Sequence, residues 1–324
     1  MKRRLVLAAT AGTIGGLTLG APGVLRAQAF PRIIIGMSGW PGFAPLTLAE
    51  QAGLFLAQGL EVETRFVPQR DRAAALAAGT LTGVVTTLDV LLGWAASTPL
   101  QQVLVLDRSR GSDGVAARPG IDRWADLRGK RVAVDRPGTT PFFVLASLLR
   151  EHGVPLDSLR LETRNPRLAA QALLEGEVEA AVTTEPHLTQ LRDHSPGKAR
   201  ILATTQDHPV VVDTLAFPPA FVERNGEAVQ RVVRAWFAAV AMIRREPDRA
   251  HEIMGQRTRQ SAAEFARSAR HFDWLDLPRN RAFVAEALRP LAARSVTILR
   301  DAGVLQADID LDALLTDRFI RGMG

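Results

Sequence analysis

Short apolar runs alternate with stretches of helical periodicity along most of this chain. Residues 32–37 hold Ile33-Ile34-Ile35 without a break, the pattern of a strand buried on both faces. Residues 60–66 alternate through Leu60, Val62 and Phe66, and residues 83–85 and 103–106 are further short strands. Residues 46–58, 71–78 and 88–96 read as helices between them, with Gly59 and Gly79 closing the first two. The alternation continues with strands at 131–134, 159–163, 180–182, 201–204 and 210–217. Their helices fall at 142–152, from Asn165-Pro166 to 175, and after Glu185-Pro186. Such alternation predicts βαβ units and mostly parallel sheets. Beyond 217 the pattern is almost wholly helical. Residues 227–245 place Val229, Val232, Val233, Trp236, Val240 and Ile243 at helical spacing, and helices follow at 262–271, 281–302 and 311–319.

These are two α/β sections and a helical tail, without internal repeat or Pro/Ser-rich linker. The expected organisation is one lobe of residues 30–110 and 214–324 interrupted by a second of residues 111–213. Short extended links at 107–117 and 213–217 would join them.

The N-terminus alters the charge argument. Lys2-Arg3-Arg4, an uncharged apolar run over 5–21 and the small-x-small sequence Ala27-Gln28-Ala29 predict a secretory signal over residues 1–29. Arg3-Arg4 before Leu5-Val6-Leu7 is a feature of the twin-arginine route. That segment holds Lys2, Arg3, Arg4 and Arg26 and no acid, so the net charge of +6 falls by four to +2 on cleavage. The remaining charge is mixed in sign and lacks aromatic interleaving, which argues against nucleic-acid binding. Without Cys there is no disulfide, no lipid attachment through an N-terminal Cys and no thiol nucleophile. A freely soluble periplasmic protein is expected. The six His show no metal-ligand spacing, and GxSxG and Walker A sequences are missing, so neither enzyme chemistry nor a cofactor is expected.

Candidate chemistry lies just after the strands. In residues 126–140, the strand 131–134 meets the breaker Pro137-Gly138, then Thr139, Thr140 and Pro141 open a helix. The free N–H groups of that helix start, beside two hydroxyls, favour an oxygen-rich anionic group, with plain capping as the alternative. Thr86 and Thr87 repeat the design, and Ser38, Gly39 and Trp40 form a Gly/Pro loop after the first strand. Ser38, Thr86, Asp107, Thr139 and Glu185 all follow strands, where open α/β sheets bind ligands. Asp107, Glu185 and Asp213 border or interrupt apolar strands. Either they pair with Arg, or they receive a ligand ammonium, which would suit an amine-bearing ligand such as taurine. Trp274 either covers the cleft or packs ordinarily.

Several stretches resemble the substrate-binding proteins of ABC importers in the nitrate, taurine and aliphatic sulfonate class. Residues 38–56 resemble that family's first loop and helix, and Gly59-Leu60-Glu61-Val62 its GLxV turn. Residues 77–83 resemble its AxxxGxxDxG turn, with Thr82 replacing the acid. Thr86-Thr87-Leu88-Asp89 and the DxSxGxDG pattern of 107–114 follow, then DLKGKxVAV at 126–134, the turn Gly138-Thr139-Thr140, and GxVDA at 176–180 leading to Glu185-Pro186. The resemblance covers residues 32–248. It implies a type II periplasmic-binding fold with a hinge and a ligand cleft. It also implies a small-molecule ligand, delivery to ABC permease subunits, and a monomer. Alternatives within the same fold are a carrier of thiamine-pyrimidine precursors, a periplasmic sensor subunit, and the thiamine-pyrimidine synthases. Those enzymes depend on Cys and His and act in the cytosol, which fits this chain poorly.

Overall fold

A computed structural model describes residues 30–195 and 197–323. The expected signal segment, 1–29, lies outside them. The strands are β1 Ile33–Met37, β2 Val62–Phe66, β3 Gly83–Thr87, β4 Gln101–Ser109, β5 Asp113–Ala117, β6 Arg131–Val134, β7 Arg160–Thr163, β8 Ala180–Thr184, β9 Arg200–Thr204, β10 Val212–Phe217 and β11 Phe272–Trp274. They form a six-stranded sheet, order β11-β4-β10-β3-β1-β2, and a five-stranded sheet, order β7-β6-β8-β5-β9. Helices pack on both, giving two α/β lobes.

The expectation of mostly parallel sheets is corrected. Only β1 with β2 and β3, and β6 with β7 and β8, pair in parallel, whereas β4, β5, β9, β10 and β11 enter antiparallel. A parallel neighbour needs a returning crossover helix. β4 runs into β5, and β9 into β10, from one sheet to the other with no helix between, so these strands join in the opposite sense. The crossings occupy residues 110–112 and 205–211. The second precedes the link expected at 213–217, because Val212 and Asp213 already pair with Arg108 and Asp107.

Local differences have local causes. The helix expected over 46–58 is split into Ala44–Gln51 and Leu54–Ala57 where Gly53 takes φ +71°. The one expected over 281–302 is interrupted by a π-helical turn, Val284–Leu288, between Leu277–Phe283 and Arg289–Asp301.

One core fills the first lobe around Trp236, which is fully buried on helix Gly226–Arg245. A second runs through both lobes. Leu88 and Leu91 of helix Leu88–Trp94 join Phe142, Phe143 and Leu145 of helix Thr140–Glu151 and Leu291 and Ile298 of helix Arg289–Asp301. Each such side chain is worth about 1.5–3 kcal/mol of burial, so the apolar seam behind the crossings binds the lobes together. Among the described residues no helix is long and apolar enough to cross a membrane.

Candidate functional site

The carboxyl ends of β1, β3, β6 and β8 and the amino ends of β5 and β10 meet at a cavity of about 230 Å³. The first lobe supplies Ser38, Trp40, Phe43, Arg72, Thr86 and Thr87, and the second supplies Asp113, Asp135, Thr139, Thr140, Pro141 and Thr184. A larger groove of about 740 Å³ lies at the other end of helix Thr140–Glu151, lined by Leu149, Leu156 and Ile298. No strand tip from the first sheet reaches it, so the smaller cavity is the candidate site.

The lobes touch across this cavity. Thr87 and Thr140 share a hydroxyl–hydroxyl hydrogen bond of 2.8 Å, and Gln69 Nε2 donates to the Gly138 carbonyl at 3.4 Å. Plain capping, the alternative reading, is not what Thr87 and Thr139 do at their helix starts. Thr139 is the N-cap residue of helix Thr140–Glu151, yet its hydroxyl donates to the Arg136 carbonyl at 2.8 Å. The start of that twelve-residue helix therefore has no side-chain cap, and its residues Thr139, Thr140 and Pro141 line the cavity. Beneath the Thr87–Thr140 contact lies Asp89, whose carboxyl burial pushes up to about 7 against hydrogen bonds from Thr87 and Thr140. Burial likewise raises Asp113 to about 6, although Ser109 donates to its Oδ2 at 2.6 Å.

Of the residues singled out from sequence, Ser38, Trp40, Thr86, Thr87, Thr139 and Thr140 border the cavity; Gly39, Gly138, Asp107, Glu185 and Asp213 are not among its lining. Gly138 holds a turn at φ +84° and offers its carbonyl to Gln69, while Gly39 has open space around it. The three acids expected to meet a ligand ammonium do other work. Glu185 is 3 % exposed and is held by Arg192 Nη2 at 3.2 Å, the Thr189 N–H at 3.2 Å and His271 Nε2 at 3.5 Å. Asp107 and Asp213 stand side by side on β4 and β10 behind Trp40, whose indole N–H donates to Asp213 Oδ2 at 3.1 Å. Both acids are buried and neither is among the cavity's lining. Trp274 is no cover: it lies in β11 and donates to the Gly42 carbonyl at 2.9 Å.

Arg72 was missed. It is 2 % exposed, with Nε donating to the Val67 carbonyl at 2.9 Å and Nη1 to the Val85 carbonyl at 2.8 Å. No carboxylate lies within salt-bridge distance among the described residues. Burial draws its pKa down to about 10, opposed by the charge of Asp213. One signal was present: Arg72 sits four residues before Leu76, and these two are the buried positions of helix Gln69–Ala77.

Comparison with known proteins agrees with this fold. A Brucella abortus protein provisionally named a binding protein is 28 % identical over 240 residues, 72 % of each chain. The riboflavin-binding protein RibY of Chloroflexus aurantiacus is 24 % identical over 319 residues, covering 93 % of this chain and 90 % of RibY. The periplasmic aliphatic sulphonate binding protein SsuA of Escherichia coli shares the fold, with a TM-score of 0.72 at 18 % identity over 87 % of this chain and 91 % of SsuA. The family model described as NMT1/THI5 like matches residues 40–250. That span takes in Trp40, Arg72, both threonine pairs and both crossings between the sheets, and this chain belongs to the NMT1/THI5-like family.

Proposed function

We propose that this chain is the periplasmic substrate-binding component of an ABC importer and that it encloses a small organic anion between its lobes. Arg72 carries the reading. A buried guanidinium with no carboxylate partner is costly, and an oxyanion arriving beside it offsets that cost. Guanidinium geometry suits the two oxygens of a carboxylate or sulfonate. Ser38, Thr86, Thr87, Thr139 and Thr140 add hydroxyls, and the start of helix Thr140–Glu151 adds N–H groups. Trp40 and Phe43 give an apolar wall that an inorganic anion would leave unfilled. The volume lies below the ~300–1,000 Å³ of drug-sized sites, which favours a ligand of alkanesulfonate size. An amine on that ligand would meet Asp113 or Asp135, the carboxyls that border the cavity.

Ligand would contact one lobe of an open form and be enclosed by rotation about residues 110–112 and 205–211. The closed form would then dock on the permease. A thermal-shift screen tests the reading, using alkanesulfonates, taurine, nitrate, bicarbonate, aromatic acids, thiamine-pyrimidine precursors and riboflavin. Organic anions should stabilise the protein, and Arg72→Gln should abolish the shift while keeping the parent's circular dichroism. Stabilisation by neutral or cationic compounds alone, or an Arg72→Gln variant that binds like the parent, would overturn it.

A further inference from the structure

We infer that Asp107 and Asp213 form a carboxyl pair that holds a proton at neutral pH and fixes Trp40 in the cleft wall, so that loss of the proton weakens ligand capture. The proton site stands on the pairing and burial of the two acids. The effect on ligand rests on the proposed function.

Asp213 lies directly opposite Asp107 in the antiparallel β10–β4 pair, so both side chains leave the same face, and the two residues are 2 % and 1 % exposed. The carboxyls are within hydrogen-bonding reach of one another. The turn Pro41–Phe43 covers them. A Cβ on Gly42 would stand 2.9 Å from Asp213 Oδ2, 3.0 Å from Asp107 Oδ2 and 2.7 Å from Trp40 Nε1, so bare backbone seals the pair from water. Trp274, opposite Asp107 in β11, pins that backbone through the Gly42 carbonyl.

Inside this seal the Trp40 indole is one donor facing four carboxyl oxygens. Both oxygens of Asp107 and Oδ1 of Asp213 have no partner among the described residues. Two bare charges there would be prohibitive, whereas a proton lets one acid donate to the other. The surroundings give no relief. Arg72, on helix Gln69–Ala77, acts favourably on Asp213, but its Nε and Nη1 are committed to Val67 and Val85. Asp89 on helix Leu88–Trp94, Asp113 on β5 and Asp273 on β11 add negative field, the last already bound by Arg108 of β4 and by Arg279. β3 and the Pro41–Phe43 turn carry no titratable group. Burial, then the charge of Asp213, raises Asp107 well above the usual carboxylate range, and burial raises Asp213 to about 7. The pair titrates as a unit.

Loss of the shared proton places a second negative charge directly beneath the indole. The Trp40 turn must then yield to admit water, and the new charge opposes any anion beside Arg72. By reciprocity, an anion in the cleft tightens the hold on the proton.

The first measurement needs no ligand. The emission of Trp40, taken as parent minus Trp40→Phe, is followed from pH 5 to 9. A single step at or above neutrality is expected, absent from Asp107→Asn and Asp213→Asn. In an Asp89→Asn background, which removes the proton that Asp89 itself holds near neutrality, infrared difference spectra at pH 7 should show a protonated carboxyl band, lost when Asp107 or Asp213 is also made Asn. If neither of those further variants folds, the band and emission step of Asp89→Asn decide. Butanesulfonate affinity should fall about tenfold from pH 6 to 9 in the parent and less than about twofold in Asp107→Asn. A Trp40 signal flat with pH, a step that persists in both Asn variants, or no protonated band would overturn the proton site. A pH-independent butanesulfonate affinity alongside a clear step would overturn the coupling. Butanesulfonate binding at no pH, with the step present, would sink the ligand reading and support the proton site.

Discussion

Replacing Asp89 with asparagine should stabilise the protein above neutrality and have its smallest benefit near pH 4. Asp89 opens helix Leu88–Trp94 under the Thr87–Thr140 contact, and its Oδ1 is buried without a donor. Burial raises its pKa from the ordinary 3.8 to about 7. As pH rises from about 4, the unfolded chain releases this proton while the folded protein keeps it, so stability falls until the folded group also ionises. The rise spans about three pH units at about 1.4 kcal/mol each, so the loss approaches about 4 kcal/mol and levels off above pH 7. Asparagine stays neutral throughout and can still accept from whichever of Thr87 and Thr140 does not donate to the other. Its amide N–H groups need acceptors the site does not offer, but that cost is the same at every pH. Urea denaturation of parent and Asp89→Asn at pH 5, 6, 7 and 8 measures the effect, because titrating groups that do not interact with Asp89 cancel in the difference, and the coupled Asp113 and Asp213 add smaller terms. The variant should gain about 2.5 kcal/mol on the parent between pH 5 and 8. A difference constant to within about 1 kcal/mol over that range would show that the carboxyl ionises freely in the folded protein and would refute the reasoning.

Gly42→Ala should cost about 1–3 kcal/mol and alter Trp40 emission, because the new methyl falls on Asp213, Asp107 and Trp40 together. Gly39→Ala, with nothing within 4 Å, is the control, and equal denaturation midpoints for the two would contradict the packing described. Thr139→Val with Thr140→Val should weaken binding of a screened ligand by several-fold at unchanged circular dichroism, each hydrogen bond to the ligand that is lost being worth about 1 kcal/mol; calorimetry of the double variant checks this. The ion pair Arg150–Asp301 joins helix Thr140–Glu151 to helix Arg289–Asp301, but its side chains are half-exposed. A double-mutant cycle should give less than about 1 kcal/mol, and a larger coupling would move the inter-lobe attachment from the apolar seam to this pair.

The order of strands and helices was readable in the residues because each element writes its own period. Ile33-Ile34-Ile35 marks a buried strand wherever it is placed, and Asn165-Pro166 starts a helix whose cap is indeed the Asn165 side chain, accepting from the Leu168 N–H. The position of Ser38 and Thr139 after strands, and of Thr86 at the end of one, was equally local, and the structure brings all three to one cavity. What local pattern could not carry was partnership. Nothing near Asp107 tells that Asp213, 106 residues away, will stand beside it, nor that the Trp40 indole will donate to one of the pair. The pairing that silences those acids is set by β10 entering antiparallel next to β4, a consequence of the chain crossing between sheets without a helix. Arg72 shows the same limit from the other side. Its sequence neighbours are Arg70 and Asp71, the company of a solvated helix face, and only packing of that helix against β3 puts the guanidinium under the Val85 carbonyl with no acid beside it. Periodicity is a property of the chain and survives in any fold, whereas the cost of a charge depends on what surrounds it, and that is decided only when distant strands and helices close around the group.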